Sequence, residues 1–591
     1  MSDYRYPYQD GLFVLNELVG LKQLCIDAGL EEFAEGLAEA VLDEAGKLGS
    51  EVLAPLNAVG DRSGATLSGN QVLETAGFYE AYQQFCQGGW PSLAANPDFG
   101  GQGLPAALSV AVNEIWQSAN LSWALCPLLT QGAIEALEVH GDERLKSLYL
   151  AKLVSGEWVG TMNLTEPDAG TDLAAIKTRA VPNEDHYLLS GQKIFITWGD
   201  HQMTENIAHL VLARLPEAPA GVKGISLFLV PKFLLDSEGN LTDQRNDVYP
   251  VSLEHKLGIH GSPTCVMSFG DNGGAVGYLV GEAHKGLACM FTMMNDARQS
   301  VGLQGLAVSE RAYQHALQYA RERIQGTAPD GSGMAIIQHP DVRRMLMQMK
   351  ALNQAMRAFA YVARAESDRA RNTTDKDSVL KHKARSDLYT PVVKGWLTEI
   401  AQEVTSLAVQ VHGGMGYIEE TGVAQYYRDA RILPIYEGTN GIQALDLIGR
   451  KILVDDGQAF KALLEEMEND LLAITDSQLE DIVTAVREAV IHVNVACNWV
   501  LQQDKTQQTL GSVSFNFMMM TGYLCGGWML AKSADIALQK INAEDADNSF
   551  LDAKITTARF YCEQILPRVS ALHKAVLSGS DTTMKLQDEQ F

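Results

Sequence analysis

Residues 186–199 read HYLLSGQKIFITWG, a run rich in aliphatic, β-branched and aromatic residues that ends in a glycine. Short runs of this composition, bounded by turn residues, are typical of β-strands. Three similar runs follow: IAHLVLARL at 207–215, GISLFLVP at 224–231 and CVMSFG at 265–270. Because no helical pattern separates them, the sequence predicts a small β domain, over 156–285, rather than alternating βαβ units.

Helical patterns flank this β domain on both sides. Apolar residues recur at helical spacing through LEEFAEGLAEAVLDEAGKL, residues 30–48, and helical periodicity returns from Leu287 to about Leu453. Polar breaks at 327–333 and 372–377 are typical of loops between helices. We therefore expect a fold that is mainly α with a central β domain.

A further helical unit is predicted beyond residue 456. Ile482, Val486, Ala489 and Val493 recur at i, i+4, i+7 and i+11, so they share one face of an amphipathic helix. The expected domains are an N-terminal extension (1–40), an N-terminal helical domain (41–155), the middle β domain (156–285), a C-terminal helical bundle (286–455) and an additional helical domain (456–591).

Composition excludes several classes of function. The chain has 591 residues with 46 Lys+Arg against 73 Asp+Glu, a formal net charge of −27, and such an acidic surface repels nucleic acid. The eight cysteines form no CxxC pair, which argues against a structural metal site and against a disulfide framework. The N-terminal stretch MSDYRYPYQDG lacks the basic and apolar regions of a secretory signal. A cytoplasmic protein without a metal is expected.

The stretch from Thr506 to Ala531 contains no charged residue and is long enough to cross a bilayer. Seven polar side chains interrupt it, whereas a membrane span should be predominantly apolar. We therefore expect a buried helix and no transmembrane span. A peripheral contact at the inner face of the membrane stays open as an alternative.

Two segments could hold a planar heteroaromatic ring. LTEPDAGTD, residues 164–172, combines two hydroxyls with a Gly-rich turn that exposes backbone N–H groups. KIFITWG, residues 193–199, would place Phe195 and Thr197 on the same face of a strand. Each segment also has an ordinary interpretation, a simple turn in the first case and a core strand in the second.

A third segment could supply a general base. ILPIYEGTNGI, residues 432–442, places Glu437 after an apolar run and before Gly438, which lets a ligand approach the backbone closely. Removing a glutamate from water raises its pKa towards neutral pH, where it becomes an effective base. Alternatively, Glu437 is a solvated residue of a surface loop.

Five motifs occur in order: LTEPDAGTD, KIFITWG, QVHGGMGY (410–417), RDAR (428–431) and IYEGT (435–439). Together they resemble the acyl-CoA dehydrogenase family over roughly residues 45–453. The resemblance implies an N-terminal α domain, a middle β-barrel-like domain and a C-terminal four-helix bundle, to which this chain adds a C-terminal helical domain. It also implies FAD as the cofactor and an acyl-CoA as the substrate.

The resemblance assigns roles to individual residues. Glu437 matches the catalytic base, and the position that holds the base in some other members is Ala297 here. Thr171, Asn295, Asp296, Arg298 and Gly438 match substrate-binding positions. The implied FAD contacts are Met162, Leu164, Thr165, Gly170, Thr171, Phe195, Ile196, Thr197, Arg323, Gln410, Gly413, Gly414, Thr439 and Asn440. Because Arg323 and Gln410 to Gly414 match groups that reach a neighbouring subunit's FAD, we expect a homodimer.

By resemblance, Glu437 would remove the α-proton of an acyl-CoA while the β-hydrogen leaves as hydride, giving a trans-2-enoyl-CoA. The first expectation is a fatty acyl-CoA in β-oxidation, with electrons passed to an electron-transfer flavoprotein. The chain ends resemble a bacterial subgroup that also contains 3-methylthiopropanoyl-CoA dehydrogenases, so that substrate stays open as well. An acyl-CoA oxidase or a non-catalytic acyl-CoA-binding protein would also be compatible with this fold.

Overall fold

The computed structural model describes residues 4–33, 35–543 and 548–591. Residues 1–3 of the expected N-terminal extension, Ala34, and residues 544–547 of the additional helical domain therefore lie outside the described residues. The chain divides into two units: Met1–Gly46, Pro105–Ser118 and Arg298–Phe591 form the first, which we call the helical unit. Lys47–Leu104 and Ala119–Ala297 form the second, the sheet unit.

Helices account for most of the secondary structure, with short 3₁₀ and π turns between several of them. The α-helices are α1 (Tyr8–Phe13), α2 (Leu21–Asp27), α3 (Leu37–Lys47), α4 (Ala54–Ser63), α5 (Phe78–Gln87), α6 (Ala106–Ala119), α7 (Leu121–His140), α8 (Glu143–Ser155), α9 (Gly286–Glu322), α10 (Pro340–Asn372), α11 (Lys376–His412), α12 (Val423–Ala430), α13 (Asn440–Asp446), α14 (Gln458–Ala473), α15 (Glu480–Gln502), α16 (Gln507–Asn542), α17 (Asn548–Gln564) and α18 (Arg568–Leu577).

Most strands lie in the sheet unit. The strands are β1 (Thr66–Ser68), β2 (Gln71–Leu73), β3 (Trp158–Asn163), β4 (Arg179–Asn183), β5 (His186–Thr197), β6 (Asn206–Arg214), β7 (Ile225–Pro231), β8 (Phe233–Leu235), β9 (Leu241–Arg245), β10 (Val248–Leu253), β11 (Thr264–Phe269), β12 (Ala275–Val280), β13 (Ile324–Thr327) and β14 (Gly333–Ala335).

The central sheet has eight strands in the order β10-β11-β5-β12-β7-β6-β3, with β4 beside β5 and β6. β3 and β6 run parallel, while β5, β7, β11 and β12 pair antiparallel. Each of the four apolar runs of the sequence contains a strand of this sheet. The expected middle β region without βαβ units is therefore present.

Both faces of β6 and β7 are covered, which explains why these two strand sequences are almost continuously apolar. Along β6, Leu210 and Leu212 join a core cluster that includes Leu137 of α7. Val211 points the other way and joins a second cluster with Phe228. The period of two residues along a strand sends neighbouring side chains to opposite faces.

In the helical unit, α16 packs against both α10 and α11. α16 approaches α11 closely at Gly522, because glycine has no side chain. A Cβ added at Gly522 would lie 2.2 Å from Cγ of Trp396 on α11 and would clash with it. Every residue from Phe517 to Ala531 is buried, whereas Thr506 to Gln508 are exposed, so the prediction of a buried helix holds for the second part of the uncharged stretch. Within the described residues, no helix is long and apolar enough to cross a membrane.

The predicted apolar face of α15 is confirmed. Ile482, Val486, Ala489 and Val493 are all buried on this helix. α15 packs on α14, α16 and α18, while α16 in turn contacts the α10–α11 pair. The additional helical region therefore buries its apolar face against its own chain.

A cluster of buried charges connects distant parts of the helical unit. Arg357 of α10 is 1% exposed and donates to Asp10 of α1, Glu114 of α6 and Glu310 of α9. Lys554 of α17 also donates to Asp10, at 2.6 Å. Buried charges are tolerated only when they are paired and hydrogen-bonded, and these groups satisfy that condition together. We call these five residues the Arg357 cluster.

Two small hairpins differ from the sequence expectation. β1 and β2 interrupt the region that was expected to be helical, since Gly69 has φ +58° and starts a two-residue turn. β13 and β14 pair across 327–333, where the polar composition suggested a plain loop between helices. The other break is as expected, because α10 ends at Asn372 and α11 begins at Lys376.

Candidate active site

Glu437 lies in a tight loop between α12 and α13. Its φ is +55°, in the left-handed region that costs a non-glycine residue roughly 1–3 kcal/mol. The loop is closed by the Asn440 N–H, which donates to Pro434 O at 3.0 Å. Gln443 Nε2 donates to Glu437 O at 3.3 Å. Gly438 has φ +86°, in the left-handed region where a side chain is strained, which favours glycine at this position.

The surroundings of the Glu437 carboxyl raise its basicity. Burial raises the pKa of Glu437 to about 7, although the positive charges of Arg298 and Lys394 act in the opposite direction. A general base works best when its pKa lies near the operating pH. The structure therefore gives Glu437 the protonation behaviour of a general base at neutral pH.

Arg298 supplies one of these positive charges. Its side chain, on α9, is 6% exposed, and its Nη2 lies 3.9 Å from the position that a Cβ on Gly438 would occupy. Burial lowers the pKa of Arg298, while Asp446 and Glu437 raise it. The structure thus brings together three of the predicted site residues, Arg298, Glu437 and Gly438.

Lys394 supplies the other charge, and the sequence analysis missed it. This lysine of α11 is fully buried and donates to Asn440 Oδ1 at 2.8 Å. Burial lowers the pKa of Lys394 to about 7, against the raising effects of Glu437 and Glu399. Its signal in the sequence was a single charge inside the apolar run TPVVKGWL.

The Asn440 side chain points into the protein. It is 3% exposed, accepts from Lys394, and donates to Gly395 O at 3.2 Å. It also donates to Thr398 Oγ1 at 2.9 Å and to Glu399 Oε1 at 2.8 Å. The amide is therefore engaged inside the protein, and the FAD contact expected at Asn440 stays a prediction.

The loop is also held from the side of α9. The Tyr436 hydroxyl donates to Gln304 Oε1, and Gln304 is fully buried. Burial raises the pKa of Tyr436 well above its ordinary value, so this phenol stays protonated at neutral pH. Glu437 is therefore flanked by an anchored tyrosine on one side and the Asn440 network on the other.

In the sheet unit, the two candidate ring-binding segments lie side by side. Ile194 N–H donates to Thr165 O at 2.9 Å. Lys193 Nζ donates to Leu164 O at 3.0 Å and to Glu166 Oε1 at 2.8 Å. Segments separated by about thirty residues in the sequence thus form one surface.

This surface has the groups that an aromatic ring with a polar edge requires. Phe195 is 58% exposed with φ +60°, although large aromatic side chains are usually buried. Within the described part of the chain, the hydroxyls of Thr165 and Thr197 have no hydrogen-bond partner. No atom lies within 4 Å of a Cβ added at Gly170, so the turn is open to a ligand. These residues fit the isoalloxazine ring of FAD.

The remaining predicted site residues are distributed over both units. In the sheet unit, Met162 is partly buried, Ile196 and Asp296 are buried, and Thr171 and Asn295 are exposed. In the helical unit, all the other predicted FAD contacts are exposed: Arg323, Gln410, Gly413, Gly414 and Thr439. Met415 and Tyr417, next to the glycines, are 50% and 87% exposed.

Family models match most of the chain. The model described as acyl-CoA dehydrogenase, N-terminal domain, matches residues 39–157, and the middle-domain model matches 161–272. The C-terminal-domain model matches residues 284–453. A fourth model, described as acetyl-CoA dehydrogenase C-terminal like, matches residues 461–587.

Individual relatives match over the full length. A 3-methylmercaptopropionyl-CoA dehydrogenase of Ruegeria pomeroyi is 46% identical over 595 residues, which cover 98% of this chain and 99% of the relative. FadE5 of Mycobacterium tuberculosis, a broad-specificity linear acyl-CoA dehydrogenase, is 33% identical over 616 residues, covering 100% of both. An acyl-CoA dehydrogenase from Bacillus anthracis complexed with FAD has the same fold, with TM-score 0.74, 20% identity, and coverage of 94% of this chain and 90% of that chain.

These matches confirm the resemblance and the fold that the sequence motifs predicted. They also confirm FAD as the family cofactor, in agreement with the exposed aromatic residue and unpaired hydroxyls of the sheet unit. The chain belongs to the acyl-CoA dehydrogenase family, oxidoreductases that act on CH–CH groups.

Proposed function

We propose that this enzyme oxidises a short acyl-CoA to the trans-2-enoyl-CoA, with 3-methylthiopropanoyl-CoA as the first candidate substrate. The observation that carries the reaction is Glu437, a carboxyl whose pKa burial raises to about 7, held in a strained loop beside two cations. This arrangement supports removal of the weakly acidic α-proton of a thioester.

The loop also offers a hydrogen-bond donor for the thioester oxygen. Among the described residues, the backbone N–H of Glu437 has no acceptor. As the α-proton leaves, negative charge moves onto the thioester oxygen, and one preorganised donor can stabilise such charge by about 3–4 kcal/mol. The same residue would therefore remove the proton and bind the developing enolate.

The sheet unit would hold the cofactor. Thr165 and Thr197 would bond the polar edge of the FAD ring, and Phe195 would pack against it. When bound, FAD supplies the acceptor for the β-hydrogen, which leaves the substrate with its electron pair as hydride. Glu437 retains the α-proton, so the substrate loses two hydrogens and gains one C=C bond.

Relatives support the choice of substrate. The relative that is 46% identical over nearly all of both chains is named for 3-methylmercaptopropionyl-CoA, another name for 3-methylthiopropanoyl-CoA. Identity to the broad-specificity linear acyl-CoA dehydrogenase is lower, 33%, over an equally complete alignment. Linear fatty acyl-CoA, the first expectation from the sequence, therefore becomes the second candidate.

A panel of acyl-CoAs tests both candidates. FAD-loaded enzyme is mixed anaerobically with 3-methylthiopropanoyl-, butyryl-, octanoyl- and palmitoyl-CoA, and loss of flavin absorbance is followed. The proposal predicts the highest second-order rate constant of flavin reduction with 3-methylthiopropanoyl-CoA, and a tenfold or greater preference for octanoyl-CoA, about 1.4 kcal/mol, would contradict it. Peroxide formed in air at the rate of turnover would identify an oxidase. Yellow protein that never bleaches would identify a non-catalytic acyl-CoA-binding protein.

The expected partners complete the proposal. Reduced flavin must be reoxidised, and we expect an electron-transfer flavoprotein to accept its electrons in the cytoplasm. We also expect a homodimer, because the exposed groups at Arg323, Gln410, Gly413 and Gly414 match positions that reach a neighbouring subunit's cofactor. Light scattering that gives the mass of one chain for the FAD-loaded protein would contradict the dimer.

A further inference from the structure

Lys394 is a buried cation with few partners. It is 0% exposed on α11, and among the described residues its Nζ has one hydrogen-bond acceptor, Asn440 Oδ1 at 2.8 Å. An ammonium has three N–H donors, and burying a cation with unused donors costs free energy. An apolar side chain would suit the surrounding run TPVVKGWL better. Stability alone therefore does not account for a lysine at this position.

The partner of Lys394 closes the loop that carries the base. Asn440 begins α13, and its backbone N–H donates to Pro434 O at 3.0 Å. Glu437 lies between these two residues with φ +55°. Since a strained conformation persists only when its surroundings hold it, the Lys394–Asn440 bond helps to fix the Glu437 backbone.

Lys394 also acts on Glu437 through charge. Among the described residues, the positive charges of Lys394 and Arg298 lower the pKa of Glu437. The negative charges of Glu437 and Glu399 in turn raise the pKa of Lys394. The charged and titratable groups around this centre are Arg298 of α9, Lys394 and Glu399 of α11, Tyr436 and Glu437 of the loop, and Asp446 and Arg450 after it. Glu437 and Lys394 therefore each affect the pKa of the other.

We propose that Lys394 is a positioning residue for the base: it holds the Glu437 loop through Asn440, and its ammonium, when protonated, favours the ionised form of the Glu437 carboxyl. This inference rests on the proposed function in one respect, the identification of Glu437 as the base. The hydrogen bond to Asn440 and the effect of the Lys394 charge on the Glu437 titration are properties of the protein alone, and both can be measured without catalytic turnover.

Two neutral variants separate the charge from the hydrogen bond. Lys394→Met removes both, whereas Lys394→Gln keeps a donor for Asn440. Thr398→Val is the matched control, because it removes a hydrogen bond to the same Asn440 and leaves every charge in place. Lys394→Arg keeps the charge and is expected to keep the titration midpoint near that of the unmodified protein.

The readout is the infrared titration of the Glu437 carboxyl in the FAD-loaded protein, assigned as the C=O band that Glu437→Gln removes. Loss of a neighbouring opposite charge shifts a carboxyl midpoint by about one pH unit or more, so both neutral variants should titrate at higher pH. Thr398→Val should titrate within about 0.3 unit of the unmodified protein. The pH profile of flavin reduction by substrate should shift by the same amount.

The outcomes are distinct. If Lys394→Met does not fold, Lys394→Gln decides the matter, since it preserves the bond to Asn440. An unchanged midpoint in the folded neutral variants, or an equal shift in Thr398→Val, would overturn the proposal. If the infrared midpoint shifts but no acyl-CoA bleaches the flavin, the role of Lys394 stands and the proposed function fails.

Discussion

Replacing Arg357 with methionine should strongly destabilise the protein, because three carboxylates would lose their shared partner. Arg357 donates five hydrogen bonds: three to Glu114 at 3.1, 3.1 and 2.6 Å, one to Asp10 at 2.6 Å and one to Glu310 at 3.0 Å. The variant would retain Lys554 as a cation on Asp10. Removing one partner of a buried ion pair typically costs about 3–5 kcal/mol, and we expect a loss in that range.

The loss of stability in Arg357→Met should increase with pH. Burial already raises the pKa of Glu114, and removing Arg357 takes away the largest opposing effect. A carboxyl whose folded pKa is raised supplies stability at low pH, below its unfolded pKa, and this stability is lost as pH rises through the folded pKa. The difference between Arg357→Met and the unmodified protein should therefore be larger at pH 8 than at pH 5.

Calorimetry of the FAD-loaded protein at both pH values measures this effect. If the helical unit unfolds cooperatively, a loss of 3–5 kcal/mol in its free energy of unfolding lowers the apparent Tm by roughly 4–7 °C. Arg344→Met is the matched control on the same helix: Arg344 is 47% exposed and pairs with Asp341 on the surface. Exposed ion pairs contribute about 0–1 kcal/mol to the free energy of unfolding, so the Tm of Arg344→Met should differ little from that of the unmodified protein. Equal Tm values for the two variants would refute the reasoning.

Three further predictions concern the candidate site and its support. The rate of flavin reduction should rise about tenfold per pH unit between pH 5 and 6 and level off above about pH 7, as Glu437 ionises; a flat stopped-flow profile would contradict this. Gly395→Leu should cost about 1–3 kcal/mol, because Met518 Sδ lies 2.2 Å from the position of an added Cβ, and unchanged thermal unfolding would argue against this packing. Thr165→Val and Thr197→Val should each weaken FAD binding by about 0.5–1.5 kcal/mol in a fluorescence titration, and unchanged affinity in both would refute the proposed ring position.

Features that depend on local pattern could be predicted from the sequence. The strands β6 and β7 are short apolar runs because both of their faces are covered, and composition reports this burial directly. The face of α15 follows from helical periodicity alone. Glu437 was found because an apolar run and a glycine surround one carboxyl.

Features that depend on long-range pairing could not be predicted. Lys394 meets Asn440 across 46 residues, and periodicity does not indicate which polar group a buried lysine will contact. The Arg357 cluster joins residues from five helices, and Arg357 and Asp10 are 347 residues apart in the chain. The inward direction of the Asn440 side chain likewise follows from its three-dimensional neighbours, which the motif does not report.

The measurement that tests the central claim most directly is single-turnover flavin reduction in Glu437→Gln. Purified FAD-loaded enzyme and variant are mixed anaerobically with 3-methylthiopropanoyl-CoA in a stopped-flow instrument at pH 8, where Glu437 is ionised. The variant should bind FAD and substrate normally and lose at least about 100-fold in the rate of bleaching, since a general base contributes about 10²–10⁴-fold. A variant that bleaches within about tenfold of the unmodified enzyme, a barrier difference of about 1.4 kcal/mol, would show that another group removes the α-proton.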